Sequence, residues 1–395
     1  MKKKICVVTA TRAEYGLLRP LISRLQESGD FMVSVAVTGA HLSPEFGLTY
    51  QEIEGNGIEI DKKIEILLSA DTPSAISKCM GLALLGFADY FAERDFDAVV
   101  LLGDRYETLA VACAAMNARI PIVHLYGGEI TEGAVDDGIR HAITKLSYLH
   151  MTSTEEYRRR VIQLGEQPDR VWTVGALGVE NALHAEKPSL AQLSESLDWE
   201  LRPQGYAVVT FHPVTLEGNT AERQTRELLE AIDAFPDLRF VVTKANADAG
   251  GRIINKLCEE YAAIHENMRV YPSLGMKRYL AAVQHAAFVL GNSSSGLVEV
   301  PSFHVPTVNI GDRQKGRVRG ESVFDCRPLA TEIINTVKLV RSEEVMSKVK
   351  KAKNPYECMR GEAVDTSLRI AAILRKELHE NIDLKKTFYN LQGGA

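Results

Sequence analysis

Short, largely apolar strand-like runs, each leading into a polar loop and then a helical pattern, set the tightest limit on how this chain folds. Ala98–Leu102 (AVVLL) is wholly apolar, and Ile5–Thr9, Met32–Val37 and Ile120–His124 are close to it. A strand apolar on both faces must be covered on both, which is the setting of a parallel sheet between helix layers. Helical patterns at Gly16–Gln26, Pro73–Phe91 and Thr108–Met116 alternate with these strands. Such alternation predicts βαβ units and a doubly wound α/β sheet.

The pattern restarts in the second half. Tyr206–Thr210 (YAVVT), Phe240–Thr243, Phe288–Leu290 and Thr307–Ile310 read as strands, with helices expected at 220–234, 250–264, 276–284 and 295–301. Between the halves, 184–204 is polar, carries two prolines and lacks a strand, so it reads as a linker with one short helix at most. The expected organisation is two Rossmann-like domains, 1–184 and 205–363. A last helical segment, within 364–395, is expected to pack back on the first. The 395 residues suffice for two such cores. Open α/β domains facing each other place a ligand cleft at the carboxyl ends of their strands.

Composition narrows the function. The formal net charge is −6, which gives no reason to expect nucleic acid as a partner, so an anionic substrate must meet local basic groups. The six cysteines include no CxxC pair, which argues against a zinc site or a disulfide framework and suits a reducing cytoplasm. The N-terminal MKKKICVVTA has a strand-length apolar run followed at once by polar residues, so no signal peptide is expected. No stretch is expected to supply the ~20 apolar residues of a membrane span.

The polar loops after the strands carry the chemistry. Thr9 to Gly16 includes Arg12, whose forked donors suit a phosphate, although a solvated arginine in a helix-initiating turn fits equally. Asp104 follows AVVLL after a single glycine, at the sheet edge where α/β sites are built. It suits acid/base work there, or the N-cap of the next helix, or both. The third loop holds Glu129, Glu132, Asp136 and Asp137 within nine positions, with Gly127 and Gly128 before them and Arg140, His141 and Lys145 after. Crowded carboxylates suit paired acid/base work, and Asp136-Asp137 also suits the start of a helix. His212 follows YAVVT and precedes Pro213, which fixes the turn. Gly291-Asn292-Ser293-Ser294-Ser295-Gly296 opens an expected helix, where hydroxyls and free N–H groups make an anion site, with Glu299 placed for ribose hydroxyls. No Gly-Lys-Ser/Thr follows, so this is not a P-loop. Four cations in seven residues (Arg313, Lys315, Arg317, Arg319) form a glycine-punctuated basic loop suited to a pyrophosphate. A solvated loop is the alternative, above all for Arg319.

Taken in order, TRAEYG (11–16), GDRYETLA (103–110), GGE…DDGIRHAITKLS (127–147), FHPVT (211–215), NADAGG (246–251) and GNSSSGLVE…GDRQKGR (291–317) resemble the hydrolysing UDP-N-acetylglucosamine 2-epimerases of sialic acid and related nonulosonate biosynthesis. The resemblance implies the two-domain glycosyltransferase-B architecture. It also implies anti-elimination of UDP to a 2-acetamidoglucal, then hydration to N-acetylmannosamine. On matching positions it implies that Asp104 and Glu129 are acid/base carboxylates, with Asp136 and Asp137 contributing and His212 near the pyrophosphate. Arg12, Ser293, Ser294 and Arg313 would meet phosphate, Glu299 the ribose, and Arg105, Asn246, Gln314 and Arg317 would line the cleft. No cofactor and no metal are expected; the partner is a UDP-sugar, in a homo-oligomer of two or four chains. One departure stands out: Tyr126 occupies a position where some members carry a glutamate. Relatives with this motif set also act on UDP- or GDP-linked 2,4-diacetamido-trideoxy sugars, so that substrate stays open. A glycosyltransferase of the same fold, a non-hydrolysing epimerase and a catalytically dead nucleotide-sugar sensor are the other readings.

Overall fold

The computed structural model describes residues 2–70, 72–132, 135–214, 220–245, 250–357, 365–379 and 382–391. The first stretch gives β1 (Lys3–Thr9), α1 (Arg12–Glu27), β2 (Phe31–Thr38), α2 (Tyr50–Gly55), β3 (Ile60–Ile64), α3 (Pro73–Glu93), β4 (Ala98–Leu102) and α4 (Tyr106–Asn117). Then come β5 (Ile122–Leu125), α5 (Asp136–Leu146), β6 (Leu149–Thr152), α6 (Glu155–Gln163), β7 (Val171–Thr173), α7 (Leu177–His184) and α8 (Leu190–Ser196). The second stretch gives β8 (Tyr206–Thr210), α9 (Ala221–Asp233), β9 (Arg239–Thr243), α10 (Gly251–Ala262), β10 (Met268–Tyr271), α11 (Gly275–His285), β11 (Phe288–Gly291) and α12 (Ser295–Val298). It closes with β12 (Thr307–Ile310), β13 (Val323–Cys326), α13 (Ala330–Val340), α14 (Glu343–Val349) and α15 (Thr366–His379).

The chain divides into two compact units. Unit 1 is Met1–Glu129, Asp136–Leu177 and Cys358–Ala395; unit 2 is Ile130–Val135 and Gly178–Glu357. The boundary thus falls at 177/178 rather than 184, and six residues of the acidic loop group with unit 2.

Unit 1 is a seven-stranded sheet in the order β3-β2-β1-β4-β5-β6-β7, with parallel pairing throughout. The order reverses between β1 and β4, which makes that edge a topological switch point. One core lies on each face. Ile5, Val7, Leu18, Leu21 and Val100 bury with Ile370 and Leu374 of α15 on one side, and Cys6, Val99, Leu101, Phe87 and Tyr90 bury on the other. This two-sided burial is why β1 and β4 read as continuous apolar runs. Among the described residues α3 is, by length and composition, apolar enough to cross a membrane, contrary to the sequence expectation. Its Ala83, Phe87, Tyr90 and Phe91 are spent on the core.

Unit 2 repeats the plan with six parallel strands in the order β10-β9-β8-β11-β12-β13. The supposed linker 184–204 contributes α8 and buries Leu193, Leu197, Trp199 and Leu201 against Tyr206, Val208 and Val241, so it is part of this unit's core. Gly291 ends β11 at φ +135°, where a Cβ would collide with the Thr210 carbonyl of β8; only glycine lets the two strand ends approach.

Candidate active site

Asp104 lies one residue beyond β4 and its turn glycine. It is not the cap of α4, because Arg105 holds the N-cap position. The Asp104 carboxylate is instead gripped by Arg140, one turn into α5. Arg140 is itself buried, with about 1 % exposure. Its Nη1 donates to Asp137 Oδ1 at 3.1 Å and to the Glu129 carbonyl at 2.8 Å, while its Nη2 bonds Asp104. One guanidinium therefore ties together the end of β4, the loop after β5 and the first turn of α5. Its planar fork allows this where a lysine would make one contact point. The Asp104 and Asp137 side chains keep 25 % and 29 % exposure, so both stay open to water. Asp136 is exposed beside them. Glu129 is buried, with Ser153 Oγ donating to its Oε1 at 3.0 Å. Glu132 belongs to unit 2, where it pairs with Lys315 at 3.4 Å.

The turn carrying Asp104 is braced from below. His124, fully buried at the end of β5, contacts the Gly103 carbonyl through Nε2 at 2.8 Å. Burial pushes its pKa down to about 3, so the ring is neutral near pH 7. A carbonyl only accepts, so Nε2 carries the proton and Nδ1 faces Thr144 Oγ1 at 3.3 Å. Tyr126 next to it adopts φ +65°, a conformation unusual for a side chain of its size.

At the end of β1 the helix starts earlier than expected, at Arg12 rather than Gly16. Thr11 and Glu14 form a reciprocal capping box. The Glu14 carboxylate accepts from the Ala10 and Thr11 backbone N–H groups at 2.7 and 3.2 Å. Burial raises its pKa to about 7 against the pull of Arg105. Arg105, whose side chain is 42 % exposed, bonds the buried Glu107 at 2.6 Å and lies 3.8 Å from the buried Glu14. Arg12 is half exposed and paired with Glu52 at 2.9 Å.

In unit 2 the organising residue is Asn292. Its side chain and the His212 backbone exchange two hydrogen bonds, at 2.7 and 2.8 Å, which lock the ends of β8 and β11 together. Its carbonyl accepts from Arg313 at 3.1 Å and Gln314 at 2.9 Å. His212, Asn292, Arg313, Gln314, Ser293 and Ser294 thereby gather at one edge. Burial, with Arg313 adding to it, holds the His212 pKa down to about 3, so this ring too is neutral. The Gln314 side-chain oxygen is buried without a partner among the described residues.

The expected helix at 295–301 is only four residues long before it tightens to a 3-10 turn. Pro301 supplies no N–H to continue it and disfavours helical geometry in the residue before it. So short a helix carries little dipole, and an anion here must rely on hydroxyls and cations instead. Glu299 sits at the end of that turn with its carboxylate packed against Gly178 at the start of α7. Arg317 lies in the same basic loop as Arg313, two residues after a tight turn at Lys315. Asn246 lies outside the described residues.

Sequence reasoning missed the role of Arg140, although its spacing from Asp137 on a helix is the i, i+3 pattern of a side-chain pair. It also missed Asn292 and His124, whose partners come from other strands. Among the described residues no three His, Cys, Asp or Glu side chains form a group able to hold a metal ion.

Comparisons with known proteins identify the family. Residues 23–375 match the family described as UDP-N-acetylglucosamine 2-epimerase. The chain is 43 % identical over 325 residues to a Campylobacter jejuni protein named GDP/UDP-N,N'-diacetylbacillosamine 2-epimerase (hydrolyzing), covering 82 % of this chain and 84 % of the other. It is 40 % identical over 394 residues to the Escherichia coli polysialic acid biosynthesis protein P7, covering 98 % of each. A crystal structure of Neisseria meningitidis UDP-GlcNAc 2-epimerase bound to UDP-GlcNAc superposes with a TM-score of 0.80 at 19 % identity, covering 95 % of this chain and all of the other, and shares the fold. The chain belongs to the UDP-N-acetylglucosamine 2-epimerase family, as a hydrolysing nucleotide-sugar 2-epimerase.

Proposed function

We propose that the chain converts UDP-N-acetylglucosamine and water to N-acetylmannosamine and UDP. The observation that carries the reading is the pair of solvent-reachable carboxylates, Asp104 and Asp137, held on one buried arginine at the edge of the unit 1 sheet. In the first step a carboxylate takes the C2 proton as the C1–oxygen bond breaks, and that bond's electrons leave with UDP. In the second, water adds its oxygen to C1 of the 2-acetamidoglucal while C2 is reprotonated from the opposite face. Two acid/base groups are required. Asp104 and Asp137 are the better placed pair, because Glu129 is buried and committed to Ser153. Departing diphosphate needs positive charge and donors, which Arg313, Gln314, Ser293 and Ser294 offer in unit 2.

The family description and the end-to-end match with a polysialic acid biosynthesis protein support UDP-N-acetylglucosamine. A second reading, a UDP- or GDP-linked 2,4-diacetamido-trideoxy sugar, is favoured by the 43 % identity to the Campylobacter jejuni protein. Tyr126 in place of the glutamate of some members points the same way. The deciding experiment incubates the protein with UDP-N-acetylglucosamine, without acceptor, beside a panel of UDP- and GDP-linked diacetamido sugars in deuterium oxide. The reading expects stoichiometric UDP and N-acetylmannosamine carrying deuterium at C2. Product retaining C2 protium refutes the elimination, and turnover of the diacetamido sugars alone refutes the substrate.

A further inference from the structure

Unit 1 holds a second buried charged cluster that the reaction does not use. Glu166, in the turn after α6, is about 1 % exposed. Its carboxylate accepts from Lys145 at 2.5 Å and Lys386 at 2.6 Å, and meets His150 Nε2 at 3.1 Å. Burial alone would raise its pKa; the bonds from His150, Lys145 and Lys386 outweigh that and bring it down to about 2.

Lys386 comes from the coil after α15. All three of its ammonium hydrogens are used: besides Glu166, it donates to the carbonyls of Ser147 at 2.6 Å and Lys145 at 3.1 Å. Lys145 lies in the last turn of α5 and Ser147 just past its end, where helix carbonyls lack intrahelical partners and a cation is favoured. The neighbouring residues hold the coil down. Tyr389 N–H donates to the Gly165 carbonyl at 2.9 Å, and Gln167 donates to Thr387 Oγ1 at 2.9 Å. The Phe388 ring covers Gly165, where any Cβ would collide with it, and lies 5.1 Å from the Lys145 ammonium. The same helix whose carboxyl end is held this way presents Asp136, Asp137 and Arg140 at its other end, and Arg140 grips Asp104.

We propose that Lys386 is a positioning residue for the reaction: it latches the C-terminal coil to the carboxyl end of α5 and so fixes how that helix presents Asp137 and Arg140. An 11-residue helix is a stiff rod of about 16 Å, so slippage at one end moves the other. Displacing catalytic groups by about 1 Å costs turnover by up to about a hundredfold. The proposal rests on the functional reading above for its kinetic arm only.

The test compares Lys386→Met, Lys386→Arg and Phe388→Ala with wild type, in the full-length chain. Hydrogen exchange of the 136–146 amides is read alongside kcat and KM. Lys386→Met is expected to lower kcat at least roughly tenfold with KM within about threefold, and to speed exchange in α5 while unit 2 strands exchange as before. Lys386→Arg should restore most of kcat. Phe388→Ala, which leaves no buried charge unpaired, should speed α5 exchange and lower kcat by about threefold, so the proposal stands or falls on it if Lys386→Met does not fold. A folded Lys386→Met with kcat within twofold of wild type overturns the proposal, as does a lower kcat with α5 exchange unchanged. If the wild type releases UDP from no sugar nucleotide, the functional reading fails and the exchange comparison alone decides the latch.

Discussion

Replacing Arg140 with methionine removes a side chain that bonds Asp104, Asp137 and the Glu129 carbonyl together. Methionine fills similar length without donors. Hydrogen bonds to charged groups contribute about 1.5–3 kcal/mol each, and removing one partner of a buried ion pair costs about 3–5 kcal/mol. These figures do not add here, because the stranded Asp104 and Asp137 side chains retain 25 % and 29 % exposure and water resolvates them. The net loss expected in unit 1 is therefore about 2–4 kcal/mol. Each unit carries one tryptophan, Trp172 in β7 and Trp199 in unit 2. In a Trp199→Phe background, urea unfolding followed by fluorescence reads unit 1 alone, which avoids treating a two-unit chain as one transition. The unit 1 midpoint should fall, and Trp199 in a Trp172→Phe background should report an unmoved transition. Turnover should drop at least roughly a hundredfold, because both released carboxylates lose their geometry. UDP affinity should stay within about twofold, since the Asn292 cluster is untouched. A variant with wild-type midpoint, or with kcat within threefold of wild type, would refute the view that this arginine organises the site.

Three further outcomes are expected. Asp104→Asn should cut turnover by at least roughly a hundredfold while UDP binding by calorimetry persists, the size of a lost general acid/base group. Ser293→Ala with Ser294→Ala should weaken UDP by about 1–3 kcal/mol, and an unchanged affinity would place the diphosphate elsewhere. Glu14, with its folded pKa raised from 4.5 to about 7, binds more protons in the folded than the unfolded state, so its contribution to unit 1 stability declines as pH rises from about 4.5 through 7. Glu14→Gln should flatten that decline, measured as urea midpoints at pH 5 and pH 8, and parallel pH slopes in the two proteins would contradict the assignment.

What the sequence made legible follows burial. AVVLL, YAVVT and TVNI are central strands covered on both faces, so composition alone located them within a residue or two. Edge strands β3 (IDKKI), β7 (VWT), β10 (MRVY) and β13 (VFDC) escaped, because partial exposure lets polar residues in and breaks the apolar run; the buried inner strand β6 (LHMT) escaped too, because His150 and Thr152 interrupt its run. The strand-end rule placed Asp104, His212 and the Asn292 loop, since those positions depend only on where a strand stops. Arg140 could not be placed that way: its main partner is 36 residues distant, and only the adjacency of β4 and β5 brings them together. The early start of α1 was readable, because T-x-x-E at Thr11–Glu14 is a capping signature. The Glu166–Lys386 contact was not, because the whole of unit 2's second stretch lies between its two halves in the chain.

On the proposed reading, the two halves of the elimination make unequal demands. Carboxylates as a class are weak bases, and the carbon bearing an acetamido group is a poor acid, so proton removal at C2 cannot run ahead of C1–oxygen cleavage. Most of the barrier must then be lowered where the diphosphate gathers charge. His212 brings no charge there, because burial and Arg313 hold its pKa down to about 3, and a neutral imidazole offers one N–H and one lone pair. On the proposed reading, the loop bearing Arg313, Lys315 and Arg317 offers positive charge in unit 2. Lys315 is already engaged with Glu132, while Arg313 spends a donor on the Asn292 carbonyl that orients it. Arg313 is thus fixed at the very turn that carries the paired serines, a charge held in place before the leaving group needs it. Such preorganised charge stabilises a developing anion without reorganising as the bond breaks. On the proposed reading, a donor set that holds the departing diphosphate, Arg313 among it, weighs more on the rate than the base that takes the C2 proton.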